Sequence, residues 1–202
     1  DIPKISIIWD AIPSFLAREN KKFIFSAIAK TARAREYENA IRWLLDAGLI
    51  NIAHALNTIE LPLSAFGDRN AFKLYMLDTG LLGCLSRLSS DILIQGNALF
   101  TTFNGSFVEN YIAQQLVTLG KPLFYWKREG NTAEVDFIIE HKNKVYPLEV
   151  KAGINPKSKS LQVYNNKYSP ELMLRSTLLN ARKDGLIGNI PLYAIDFLYN
   201  FI

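Results

Sequence analysis

Asp136, Glu149 and Lys151 place two carboxylates and an ammonium within 16 residues of one another. They lie in the runs Glu134-Val135-Asp136-Phe137-Ile138-Ile139-Glu140 and Val145-Tyr146-Pro147-Leu148-Glu149-Val150-Lys151, joined by His141-Lys142-Asn143-Lys144. Two alternating runs around a short polar connection read as a β-hairpin with a four-residue loop. Pairing Glu140 with Val145 sets Asp136 opposite Glu149 and Glu134 opposite Lys151. All four then share one face, with Val135, Phe137, Ile139, Tyr146, Leu148 and Val150 on the other. Like charges directly opposed across two strands destabilise them, so a compensating charge is expected. A divalent cation would supply it. Mg²⁺ is commonly held by one or two carboxylates together with phosphate oxygens and water, a donor set suited to phosphodiester hydrolysis. Lys151, on the same face, could orient the water or neutralise charge growing on the phosphate. The pattern equally suits the wet face of an exposed hairpin, with Glu134 and Lys151 as an ordinary surface pair.

The elements that must position these residues are readable from periodicity. A helix opens at Gly105-Ser106 and runs through Phe107, Val108, Tyr111, Ile112, Gln115, Leu116 and Leu119 to Gly120-Lys121-Pro122. Strands are expected at 123–127, 133–140 and 144–151, followed by a helix over 160–167, an apolar run at 172–179 and a last strand or helix at 191–195. The first third reads as helical, with a stripe of Ile12, Phe15 and Leu16. A clearer helix carries Tyr37, Ile41, Leu44 and Leu45 and stops at Gly48. Short strands at 49–55 and 72–77 and a helix at 79–88 come next. Helix, helix and two strands is the order of a winged helix-turn-helix. The fold class is therefore α/β (α+β), with a winged-helix-like module over 1–95 and an α/β domain over 96–202. Cys84, inside Leu81-Leu82-Gly83-Cys84-Leu85, is expected in the core.

Asp136, twelve residues and then Glu149-Val150-Lys151 is similar to the core motif of the PD-(D/E)xK superfamily, which includes restriction endonucleases and archaeal Holliday-junction resolvases. The resemblance implies a restriction-endonuclease-like fold for the second domain, a metal-dependent deoxyribonuclease activity, and catalytic roles for Asp136, Glu149 and Lys151. A helix ahead of the hairpin often supplies one more acidic ligand in that fold, and Glu109 occupies the matching place. The implied metal ligands are Glu109, Asp136 and Glu149, and the implied cofactor is Mg²⁺ or Mn²⁺. Pro147 stands two residues before the Glu, and no Pro adjoins Asp136, both departures from the motif. Over nearly the whole chain, segments such as Ile8-Trp9-Asp10-Ala11-Ile12-Pro13, Trp43-Leu44-Leu45-Asp46-Ala47-Gly48-Leu49 and Pro147-Leu148-Glu149-Val150-Lys151-Ala152-Gly153 resemble the C-terminal region, of unknown function, of a large family of prokaryotic AAA+ ATPases. That resemblance implies an upstream ATPase module, consistent with a start at Asp1 rather than Met. ATP would bind only there, because these 202 residues contain no Gly-x-x-x-x-Gly-Lys-Ser/Thr phosphate loop.

DNA is the expected partner. The net charge of +4, from 23 Lys and Arg against 19 Asp and Glu, permits a polyanionic partner without demanding one. Arg33 and Arg35 lie at the start of the helix that a winged fold would present to DNA, and Lys157 and Lys159 follow the candidate site and could track a phosphate backbone. A solvated helix face, with Arg42 or Arg35 paired to Glu36, Glu38 or Asp46, explains the arginines as well. Tyr125 and Trp126 could stack on bases, although at strand spacing at least one belongs in the core. His54 and His141 have no Cys or His companion at zinc-ligand spacing. With no run of roughly 18 apolar residues, no membrane partner and a cytoplasmic location are expected. The rival to an active nuclease is a catalytically silent module of the same fold that binds DNA or protein for the ATPase.

Overall fold

The computed structural model describes residues 2–18, 21–28, 33–89, 91, 101–131, 133–154 and 158–202. The fold is mixed α+β, with helices and, among the described residues, a four-stranded and a five-stranded mixed sheet. The chain divides into two compact units that interleave in sequence, one formed by 1–52 and 71–114, the other by 53–70 and 115–202. The expected boundary at 95/96 falls outside the described residues.

In the first unit, α1 (Ile2–Leu16) buries Ile8, Ile12, Phe15 and Leu16, spaced i, i+4, i+7 and i+8 as one helical stripe. α2 (Ala34–Asp46) buries Tyr37, Ala40, Ile41 and Leu44. It ends at Gly48, whose φ of 69° lets the amides of Gly48 and Leu49 donate to the carbonyls of Leu45 and Leu44 at 2.9 and 3.0 Å. That paired bonding closes a helix C-terminus and favours glycine at the left-handed position. Phe15, Phe23, Phe25 and Phe72 form a ring cluster, with Phe15 and Phe23 centroids 4.6 Å apart. α3 (Thr79–Leu85) is capped by Asp78, whose carboxylate accepts from the Leu81 amide at 2.7 Å. Leu82 of this helix is buried, whereas Cys84 is exposed, overturning its expected core position. Two residues after Leu82, at about 100° per residue, Cys84 has turned away from the packed side. α4 (Thr101–Thr118) begins in this unit and ends in the other.

The strands β1 (Ile50–Leu56) and β2 (Gly67–Met76) are each divided between the units. Within the second unit, residues 53–56 of β1 pair in parallel with β3 (Leu123–Lys127), Ala53 opposite Leu123 and Leu56 opposite Trp126. β4 (Glu134–Val135) pairs antiparallel with β3. β5 (Phe137–His141) and β6 (Lys144–Val150) form the predicted hairpin in the predicted register, Glu140 opposite Val145. Its turn is tighter than expected. Only Lys142 and Asn143 lie outside the ladder, both left-handed at φ 48° and 60°, as a two-residue hairpin turn requires.

After β6, α5 (Lys159–Tyr168) crosses to β7 (Met173–Thr177), which lies parallel to β6 and to β9 (Ile187–Pro191); β8 (Arg182–Asp184) closes the edge against β9. The core of this unit gathers Trp126, Val135, Ile138, Leu161, Tyr164 and Met173. The other side of the sheet takes the terminal helix α6 (Leu198–Phe201), where a Cβ on Gly188 would come within 2.6 Å of the Phe201 ring.

Candidate functional site

The strand expected over 133–140 is broken at Asp136, and the break shapes the site. Val135 ends β4, Phe137 starts β5, and Asp136 is the bend at which the chain leaves one sheet for the other. Two sequence expectations change as a result. The β5/β6 ladder stops at Phe137 opposite Leu148, so Asp136 is one step beyond it rather than a ladder partner of Glu149. Its Oδ2 accepts the Val150 amide at 2.8 Å instead. Glu134, expected opposite Lys151, pairs with Lys127 of β3, with Nζ to Oε2 at 3.8 Å. A hairpin extrapolated from alternation alone carries no term for a strand that changes sheets.

Asp136 is nonetheless tied to β6, through the backbone amide of the residue between Glu149 and Lys151. Val150, held by Asp136, separates Glu149 from Lys151, and Lys151 Nζ donates to Glu149 Oε1 at 2.6 Å. Glu149 is 4% exposed, whereas the Lys151 side chain is 37% exposed, so the pair runs from the interior to solvent. The Lys151 amide donates to the Ser176 carbonyl at 2.9 Å, tying the end of β6 to β7.

The register across the sheet adds a residue that the sequence reading missed. Glu149 is level with Arg175 on β7, and Arg175 with Asn189 on β9. Level positions on adjacent strands point to the same face, so a carboxylate, a guanidinium and an amide form a polar row. Arg175 is 7% exposed, and burial, with Arg182 nearby, pulls its pKa below the usual arginine range. The missed signal was a cation inside the apolar strand Met173-Leu174-Arg175-Ser176-Thr177. Asn189 anchors the row's far end, accepting from Thr177 Oγ1 at 2.8 Å and donating to the Leu179 and Asn180 carbonyls at 3.0 Å.

Glu109, the expected auxiliary ligand, lies on α4 in the first unit, 3% exposed. Its Oε2 accepts from Lys21, and its Oε1 from Lys73 at 3.2 Å and the Tyr75 hydroxyl at 2.5 Å. Burial alone would raise its pKa, but Lys21 and Lys73 outweigh that and hold the carboxyl down at about 2. Next to it, Asn110 brackets Met76, accepting the Met76 amide at 2.8 Å and donating to its carbonyl at 3.3 Å.

Arg33 and Arg35 are exposed at the start of α2, and Arg42 pairs with Asp46 at 3.4 Å on the same helix. Lys159 is exposed at the start of α5; Lys157 lies outside the described residues. Tyr125 and Trp126 are both buried, at 0% and 2% exposure. Among the described residues no three His, Cys, Asp or Glu side chains gather at a spacing that would hold a metal ion, and no helix is long and apolar enough to cross a membrane.

The segment that carries the whole Asp136, Glu149, Lys151 and Arg175 group is similar to a known family. Residues 104–194 match a domain of unknown function, DUF4143. Residues 1–92 match a second domain of unknown function, DUF8612. Glu109 thus belongs to the DUF4143 match, while its partners Lys21, Lys73 and Tyr75 belong to the DUF8612 match. No curated protein and no solved structure matches the chain.

Proposed function

We propose that the DUF4143-like part of the chain is a nuclease-like module of PD-(D/E)xK type that hydrolyses DNA phosphodiester bonds with Mg²⁺ or Mn²⁺, and that the winged-helix-like first part and an upstream AAA+ ATPase deliver the DNA. The observation that carries the reading is the bend at Asp136. It sets a carboxylate on the Val150 amide, directly between Glu149 and Lys151 in sequence. The donor set fits a hard divalent cation, since both acids offer oxygen ligands and two carboxylates are the usual protein share of a Mg²⁺ site. Asp136, held on the Val150 amide, and Glu149, held by Lys151, would be the ligands.

When bound, the cation supplies charge neutralisation and makes water acidic enough to attack at neutral pH. Asp136 keeps its carboxylate fixed through Val150, so little reorganisation accompanies binding of substrate. Lys151, with its ammonium reaching solvent from a buried acid, stabilises charge on the phosphate or steers the water.

Supercoiled plasmid and linear duplex incubated with the chain and Mn²⁺ or Mg²⁺ test the reading. Nicking that disappears in Asp136→Asn and Lys151→Ala, with the circular dichroism spectrum retained, is the expected result. Absence of cleavage on DNA with either metal, together with no metal-dependent shift in melting temperature, would refute it.

A second reading is favoured by the Glu149 to Lys151 contact, because an ammonium already lies where cationic charge is needed. A module that uses Lys151 in this way keeps the nuclease fold and binds DNA or protein without cutting. Salt-dependent DNA binding that persists in Asp136→Ala, without nicking in the parent, would select it.

A further inference from the structure

Within the second unit, a cleft of about 320 Å³ lies beside the strand that leads into Asp136, lined by Trp126, Arg128, Val163, Asn166 and Lys167. The end of β3 supplies Trp126 and Arg128. One face of α5 supplies Val163, Asn166 and Lys167, spaced i, i+3 and i+4. Trp126 is level with Val135, the residue before Asp136, so the cleft and the proposed site share one stretch of backbone.

The floor is built and held. The Trp126 indole donates to the Tyr168 hydroxyl at 3.2 Å, and its ring meets those of Tyr164 and Tyr168 edge-on at 5.3 and 5.8 Å. The backbone of Arg128 is fixed by its amide, which donates to the Ala133 carbonyl at 2.9 Å. The walls are cationic and available. Neighbouring Lys127 is paired to Glu134, Lys144 to Glu171 and Arg182 to Asp184. By contrast, among the described residues the side chains of Arg128 and Asn166 enter no hydrogen bond or ion pair. The Lys167 ammonium rests over the Tyr168 ring, 5.0 Å from its centroid, which positions the charge without cancelling it. The carboxylate nearest to the pair in sequence is Glu129, exposed in the turn after Arg128.

We infer that this cleft binds the sugar–phosphate backbone of a nucleic-acid strand, with Arg128 and Lys167 on its phosphates and Asn166 as a polar contact. The choice of ligand rests on the proposed phosphodiester chemistry; the shape and charge of the cleft do not. An open cleft at the small end of the range for ligand sites suits a polymer passing through better than an enclosed small molecule. Two cations above an apolar floor match a backbone flanked by sugars.

Fluorescence anisotropy of a labelled oligothymidylate of about 15 nucleotides, titrated with the 202-residue chain in EDTA over a salt series, reads binding without cleavage. The double variant Arg128→Ala, Lys167→Ala should weaken binding about tenfold at low salt and flatten the log K against log salt slope by about 1.4, the share of two phosphate contacts on a single strand. Arg182→Ala, Lys183→Ala on the edge strand β8 removes equal charge elsewhere and should leave both readings near the parent values. Both pairs are surface changes whose melting temperatures should stay within a few degrees of the parent. Undetectable binding by the parent, an unchanged slope in the Arg128, Lys167 variant, or an equal loss in the β8 variant would each overturn the inference. So would competition by polyglutamate as effective as that of unlabelled oligonucleotide, which would make the cleft a site for acidic protein. A chain that binds through the cleft but never nicks DNA sinks the nuclease reading and leaves the cleft standing. Nicking that depends on Asp136 but not on Arg128 and Lys167 does the reverse.

Discussion

Acidifying the protein should expose how much stability the Glu109 cluster holds. The carboxyl is brought from an ordinary 4.5 down to about 2 in the folded protein, where burial opposes ionisation and Lys21 and Lys73 more than compensate. A group with a depressed folded pKa contributes its full stability above the unfolded value. It loses that contribution as pH falls through the folded value. The difference between 4.5 and about 2 corresponds to about 3 kcal/mol at roughly 1.36 kcal/mol per unit, all present at neutral pH. By about pH 3, linkage puts about 2 kcal/mol of it out of action. Glu109→Gln keeps the shape and removes the titration, leaving Lys21 and Lys73 facing each other with no carboxylate between them. Urea unfolding followed by tryptophan fluorescence at about pH 7 and about pH 3 checks the reasoning. The variant should be the less stable protein at pH 7 by several kcal/mol, and the gap to the parent should shrink by about 2 kcal/mol at pH 3. A gap that stays constant with pH would refute the ion-pair account and make Glu109 a packing residue.

Two backbone positions give sharper local tests. Gly188→Ala places a methyl group 2.6 Å from the Phe201 ring and 3.3 Å from Leu174, so the terminal ring must move; a loss of about 1 kcal/mol is expected, larger for Gly188→Val, read as a fall in melting temperature. Gly48→Ala meets no atom within 4 Å but must adopt φ 69°, and a cost of about 1 kcal/mol in the same assay would arise from backbone conformation alone.

The hairpin was legible because its information is local. Alternation in 137–141 and 144–150 fixes which residues face which way, and Lys142-Asn143 fixes the register through a turn that needs two left-handed residues. The helix stop at Gly48 was readable for a similar reason. The break at Asp136 was not, because it depends on β3 offering an edge to Glu134 and Val135, a pairing the sequence around Asp136 does not encode. Arg175 escaped notice for want of context, since its meaning comes from being level with Glu149 on a strand 26 positions further along the chain. Glu109 was noticed for its place before the hairpin, yet its partners Lys21, Lys73 and Tyr75 come from segments whose approach no short-range pattern reveals.

The interleaving of the two units has a consequence for anyone who wants to cut this chain. Residues 53–56 supply the parallel neighbour of β3, although 66 residues lie between Leu56 and Leu123. A truncation anywhere between them leaves the β3 piece with a bare strand edge at Leu123-Phe124-Tyr125-Trp126, four large apolar residues in a row. Such an edge recruits other copies, so the isolated C-terminal half should be recovered as aggregate and the intact chain should not. In the intact chain residues 53–56 cover that edge, so a short segment from the first half of the sequence protects a strand in the second.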